Sequence, residues 1–347
     1  MCIRSKTKPP SHHIRIYIKQ PIKDVITMIQ DPINQYEDIY TTLKKRLRWQ
    51  ASDHQVLMLT ASIYCSNDHP FDVERFMDIS EMIKKESGMF SHMKSQLRFS
   101  CAALLDVKSE DPRLQFERLQ SLYDRLIEAG FKKGVYTHLA ALAVLGEEEI
   151  DPDLPERALT LYKRMAKEHL FLTGHSDYPL AMLLAKKGQE NIVDHIETFY
   201  DQLNHEGFRK GNDLQTMSHI LSLQEEEGPE SMISRALRIH DALRSEGIRM
   251  KPAFYPHIAL LSFVKDADCS RVRSIWDNLN GIKAFKWHKD VNFMMAVNFY
   301  VSNQLEDTSL ATTNLTTTIE TLIQAQQTAM IATMSASAVI TSSSSNS

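Results

Sequence analysis

Apolar positions recur at helical spacing along almost the whole chain. In "RLQSLYDRLIEAGF", Leu119, Leu122, Leu126 and Ile127 fall on one stripe with charged residues between them, the signature of an amphipathic helix. Gly130 follows the last periodic residue, where a left-handed cap is expected, and Phe131 is placed to fold back on the last turn. "VYTHLAALAVL" then resumes as a second, more apolar helix. The phrase "EAGFKKG" (128–134) is therefore read as the turn of a helical hairpin, and it returns as "HEGFRKG" (205–211).

Aligning the residues ahead of these turns extends the pattern. Tyr40, Ser80, Tyr123, Tyr162, Tyr200, His240 and Trp276 occupy one register, with spacings of 40, 43, 39, 38, 40 and 36. Units at a drifting period of about 40 are what a stacked helical-repeat architecture produces. Each unit has a first helix (A), a turn, and a second helix (B). The A helices are amphipathic. The B helices, such as "VLMLTASIY", "YPLAMLLA" and "FMMAVNFY", are apolar nearly all round and are expected to form an inner layer, because a single hairpin cannot bury its own apolar face. The predicted fold is all-α: a right-handed α-solenoid of about seven hairpins with a C-terminal capping helix. The expected organisation is a basic, poorly ordered extension (1–30), a hairpin domain (31–305), a terminal helix (306–340) and a Ser-rich disordered tail (341–347). Helix starts are predicted at Asp153-Leu154-Pro155, in the acid–Pro loop "QEEEGPESM", and at Pro252.

Composition narrows the function classes. The chain has 347 residues, 43% apolar and 24% charged, with a net charge of −4. That balance disfavours a nucleic-acid binder, which needs a cationic face. Cys2, Cys65, Cys101 and Cys269 form no C-x-x-C pair and are read as free thiols of a reducing cytoplasm. The basic N-terminal segment lacks the apolar core of a secretory signal, and no run of about 18 apolar residues predicts a membrane span.

Several long stretches carry a resemblance: "LRWQASDHQVLMLTASIY" (47–64), "SQLRFSCAALLDV" (95–107), "HLFLTGHSDYPLAMLLA" (169–185), "GFRKGNDLQTMSHILSL" (207–223), "FKWHKDVNFMMAV" (285–297) and "TTIETLIQAQQTAMIA" (317–332). Over about residues 33–335 the chain resembles a family of uncharacterised bacterial helical proteins, grouped as a domain of unknown function. The resemblance implies a bacterial, cytoplasmic protein and carries no activity, ligand or site. The first 30 residues and the tip of the tail look private to this sequence. The period and the "SEGIRMKP" turn (245–252) are also similar, more weakly, to tetratricopeptide- and pentatricopeptide-type repeats.

Candidate chemistry is sparse. "TGHSDYP" and "KWHKD" each place a His two residues before an Asp in an A–B turn, so His175, Asp177, His288 and Asp290 have the residue types of a metal or acid–base site. The two turns lie about three units apart in a stack, and both Asp residues serve equally as helix N-caps. His240 holds the register position of Tyr and is expected to pack. His138 and His219 lie on B helices and are expected to hydrogen-bond locally. No G-x-S-x-G, Gly-rich phosphate loop or H-E-x-x-H occurs. Neither a cofactor nor a metal is expected. Trp287, between Lys286 and His288, is read either as a core residue or as an exposed binding aromatic.

Charge segregates by turn. The A–B turns collect cations, among them Lys132, Lys133, Arg209, Lys210, Arg249, Lys251 and Lys289; the B–A loops collect acids, including Asp68, Asp106, Glu110, Glu147, Asp151, Glu225 and Asp266. The basic rim, with Trp287, is the candidate binding surface. The function expected is a non-catalytic scaffold for a protein or peptide, acidic in the sharper form of the reading, with no membrane partner. Single-stranded RNA binding and an enzyme site in the superhelix groove are the alternatives.

Overall fold

The computed structural model describes residues 20–51, 53–88, 92–145, 150–168, 172–189, 191–224, 227–307, 321–323 and 325–332. Among these residues the regular structure is helical and no strand occurs. The helices, in chain order, are α1 (Gln20–Arg46), α2 (His54–Ser66), α3 (Val73–Glu86), α4 (Leu97–Lys108), α5 (Pro112–Ala129), α6 (Val135–Ala143) and α7 (Leu154–Glu168). They continue as α8 (Tyr178–Lys187), α9 (Ile192–His205), α10 (Asn212–Leu221), α11 (Pro229–Ser245), α12 (Tyr255–Leu261), α13 (Cys269–Gly281) and α14 (Lys289–Asp307). Each odd-numbered helix packs on the even-numbered helix that follows it.

Local chemistry explains the boundaries. Asp53, Asp72, Asp111 and Asp268 accept backbone N–H groups at the starts of α2, α3, α5 and α13. The repeated phrase has a repeated geometry. Gly130, Gly207 and Gly247 have φ of 112°, 100° and 77°. The next residue, Phe131, Phe208 or Ile248, donates its N–H back to Leu126, Leu203 or Leu243 at 3.0 Å and is buried. The expected starts at Leu154, Pro229 and Pro252 also occur, the last as a single 3₁₀ turn ahead of α12. Helix α1 begins at Gln20, inside the segment expected to be an unstructured extension; residues 1–19 lie outside the described ones.

The register residues of the A helices do one job. Each meets the start of a B helix or the turn before one: Tyr40 meets His54, Ser80 Oγ accepts from Arg98, and Tyr123 stacks on His138. Tyr162 packs on Tyr178, and Tyr200 accepts from the Gly211 N–H. His240 packs against Phe208 of the preceding hairpin, half-buried as expected. Trp276 donates to the Lys289 carbonyl at 2.8 Å.

Burial separates the two helix classes. Helix α5 buries Gln115, Phe116, Leu119, Leu122 and Leu126, a single stripe. Helix α2 buries every residue from Val56 to Tyr64, so neighbours surround it. The B helices form the inner layer: α2 packs on α4, α6 on α8, α8 on α10, α10 on α12, and α12 on α14. The A helices follow outside, α3 on α5, then α7, α9, α11 and α13, with α4 on α5 joining the second and third hairpins.

Among the described residues the first and last hairpins meet. Helix α14 packs on α2, and α13 on α1, so the succession of hairpins returns to its start. Aromatic rings hold this seam. Tyr36 lies 4.9 Å from Phe285 and 5.3 Å from Phe299, Tyr40 lies 4.8 Å from Phe285, and all four are buried. The described part of the C-terminal segment, 321–323 and 325–332, is helical and buried on all sides apart from half-buried Ala329. Even Gln326, Gln327 and Thr328 are inside, and Asn298 of α14 reaches the Met330 sulfur at 3.8 Å. A cap would leave one face to solvent.

Candidate interaction rim

The A–B turns sit side by side through specific contacts. The Asp53 N–H donates to Gln96 at 3.2 Å, joining the first two turns. Gly88 and His92 of the second line a cavity with Lys133 and Gly134 of the third. Phe131 packs edge-on against Tyr178 at 4.7 Å, and Gln215 donates to Thr173 at 2.8 Å, linking the third, fourth and fifth. The Arg209 N–H donates to Tyr255 at 3.2 Å, and Lys251 pairs with Asp290 at 2.6 Å, linking the fifth, sixth and seventh. His54 stacks on His288 at 6.3 Å and closes the circuit between the seventh turn and the first.

The candidate cations Lys132, Lys133, Arg209, Lys210, Arg249, Lys251 and Lys289 are all exposed. Two carry local partners. Lys251 is paired to Asp290, and Lys210 lies 5.9 Å from the centre of the Tyr200 ring. Trp287 is 82% exposed and Trp49, in the first turn, is 86% exposed, so the core reading of Trp287 does not hold. Each indole has a cation over one face: Lys286 at 4.8 Å from the Trp287 centroid and Arg48 at 4.7 Å from that of Trp49. Cavities on this rim include one of about 550 Å³ within the sixth turn, at His240, Arg244 and Arg249, one of about 340 Å³ between the seventh and first, at Gln55 and Lys286–Val291, and one of about 290 Å³ between the second and third, at His92, Tyr123 and His138.

The two His-x-Asp motifs do not meet. The closed circuit brings His288 to His54 of the first hairpin and leaves His175 in the fourth. Neither Asp caps the following helix with its side chain. Asp177 accepts from the Gly174 N–H at 2.8 Å, and Asp290 holds Lys251. Burial is the larger influence on Asp177 and pushes its carboxyl up to about 6, with the Gly174 bond opposing. His175 is pushed down by burial and then by Lys132; His54 is pushed down by burial, then by Lys44 and His288. Among the described residues no group of three or more His, Cys, Asp or Glu is arranged to hold a metal. Cys65, Cys101 and Cys269 are free thiols, raised by burial to about 12, 12 and 11.

The opposite rim differs from its expected character. Asp106 is buried, accepting from Tyr64 at 2.8 Å and from Arg75 at 2.6 Å, so it braces the first two hairpins and offers no surface charge. Glu147 and Glu225 lie outside the described residues. Asp68, Glu110, Asp151 and Asp266 are exposed.

Sequence reasoning missed the seam and the exposure of Trp49. A signal was present: the first and last A–B turns both place a cation directly before a Trp, as Arg48-Trp49 and Lys286-Trp287. No helix among the described residues is long and apolar enough to cross a membrane. No solved structure matches the chain. A protein of Bacillus subtilis (strain 168), named "Uncharacterized protein YeaA", is 38% identical over 309 residues, which is 88% of this chain and 94% of that protein. With residues 39–328 matching its pattern, the chain belongs to the family described as "Protein of unknown function (DUF4003)".

Proposed function

We propose that the protein is a non-catalytic, cytoplasmic helical-repeat scaffold that docks an acidic protein segment on the rim of A–B turns. The observation that carries this reading is the set of exposed Lys and Arg on the A–B turns, among them Lys132, Lys133, Arg209, Lys210, Arg249, Lys251 and Lys289, with two exposed indoles beside them. Large aromatics are stable in water-facing positions only at a cost in hydrophobic free energy, and they are enriched where one protein anchors another. The cations supply steering: they raise the encounter rate of an anionic partner and lose that effect as salt screens them. Repeat assemblies of this kind contribute a broad surface more often than a reaction centre.

The test is association kinetics with a defined probe, a fluorescein-labelled peptide of alternating Glu and Phe. Reversing Lys132, Lys133, Arg209 and Lys210 to Glu is expected to slow binding several-fold at low salt and to leave the melting temperature nearly unchanged. An on-rate that ignores both this reversal and ionic strength overturns the reading. A second reading, single-stranded RNA binding, draws on the same exposed indoles, since base stacking on aromatics is the general mode of that class. Oligouridylate in place of the peptide tests it directly.

A further inference from the structure

The rim is not uniform. Its seventh and first turns differ from the rest, because only there do two exposed indoles, one from each end of the chain, flank a junction that exists through closure of the circuit. The cavity of about 340 Å³ at this junction is built from both ends: Gln55 comes from the first hairpin, and Lys286, Trp287, His288, Lys289 and Asp290 come from the last. Its floor is held firmly. Phe285, directly before Lys286, is fully buried between Tyr36 and Tyr40, and His288 is set against His54, whose Nδ1 lies 2.8 Å from the Tyr40 hydroxyl. The exposed residues therefore stand on rigid supports at both sides. With the backbone beneath it supported, the indole has only its two side-chain torsions to lose on binding, which favours it as an anchor.

We propose that this seam is the primary docking site for the acidic segment, resting on the rim reading above, and that the segment carries an apolar or aromatic residue beside its carboxylates. Trp287 has one face taken by Lys286, which leaves the other for an apolar side chain of the partner. Lys286 and Lys289 accept its carboxylates. Trp49, with Arg48 over it, repeats the arrangement on the first turn. The choice of a peptide over a nucleic acid follows from Asp290. Its half-exposed carboxylate lines the cavity; Lys251 holds both oxygens, at 2.6 and 2.9 Å, and each oxygen keeps a further lone pair. A peptide backbone brings N–H donors that the carboxylate can accept, which a phosphodiester backbone lacks. Gln55, with both donor and acceptor atoms, suits the same backbone.

The experiment titrates the Glu/Phe peptide into the full chain and follows tryptophan emission. Of the three tryptophans, Trp49 and Trp287 are exposed and Trp276 is half-buried. The expected result is a saturable change that Trp287→Phe largely removes. Trp287→Ala and Lys286→Glu are expected to weaken binding at least tenfold, and Trp49→Ala by less. All three positions are exposed, so far-ultraviolet dichroism and the melt should match the parent. Unchanged affinity in Trp287→Ala and Lys286→Glu overturns the seam site. If the distal reversal at Lys132, Lys133, Arg209 and Lys210 still slows association in that case, the rim reading stands alone. If the peptide fails to bind the parent protein at low salt, both fall. If oligouridylate binds more tightly and displaces the peptide, the partner class is nucleic acid and the peptide assignment is wrong.

Discussion

His257 makes the sharpest test of how the inner layer is built. It lies on α12, buried against Phe293 at 6.2 Å, and neither ring nitrogen has a well-formed hydrogen bond. Burial pushes its affinity for a proton down to about 4, with the Ala253 carbonyl opposing weakly. An unfolded His titrates near 6.5, so between these values the unfolded chain binds the extra proton and stability falls as pH falls. The full difference of about 2.5 units corresponds to about 3.4 kcal/mol, and by pH 5 about 2 kcal/mol of it is expressed. His138, also at about 4, adds a similar loss. Asp177, raised to about 6, acts with the opposite sign: its carboxylate is costly in the folded state, and acidification to pH 5 returns about 1.3 kcal/mol. The net of the three is a loss of about 2.4 kcal/mol between pH 7 and pH 5. Urea unfolding at the two pH values, at constant ionic strength, measures it. The decisive comparison is His257→Leu. Whatever its stability at pH 7, its loss on acidification should be smaller than the parent's by about 2 kcal/mol. An equal loss in both proteins refutes the assignment of His257 as a neutral ring forced to charge only on unfolding.

Four further outcomes are expected. Gly207→Ala should destabilise by about 1 kcal/mol through backbone strain alone, since no atom lies within 4 Å of the new Cβ. Gly130→Ala should cost more in the same thermal melts, because its Cβ would come within 3.1 Å of Leu159 Cδ2. Phe285→Ala should destabilise by about 3–5 kcal/mol in urea unfolding; a cost below about 1 kcal/mol would mean that the seam does not hold the ends of the chain together. Asp106→Asn should cost about 1–3 kcal/mol by the same measurement, since the change weakens the buried bonds that join Tyr64 and Arg75, and an unchanged midpoint would contradict the bracing role.

What the sequence determined by itself is local. The helices and the glycine turns after Leu126 and Leu203 depend on residues within one or two turns of each other, so period and turn chemistry spell them out. The same holds for the cations of the A–B turns, whose place on one rim follows once the hairpins are recognised. Closure of the circuit was not legible. It rests on contacts between residues far apart in sequence, α13 with α1 and α14 with α2, and no local pattern encodes such pairs. Tyr36 and Phe285 are ordinary apolar positions in their own helix and turn, and they become partners only where the first and last hairpins meet. Trp287 shows the same limit at one residue. Its neighbours in sequence are compatible with core or surface, and the choice was made by Phe285, which took the buried place and turned the indole outward. Asp106 went the other way: an acid near a loop became a buried brace because Tyr64 and Arg75, far off in sequence, converge on its carboxylate and replace the water it loses.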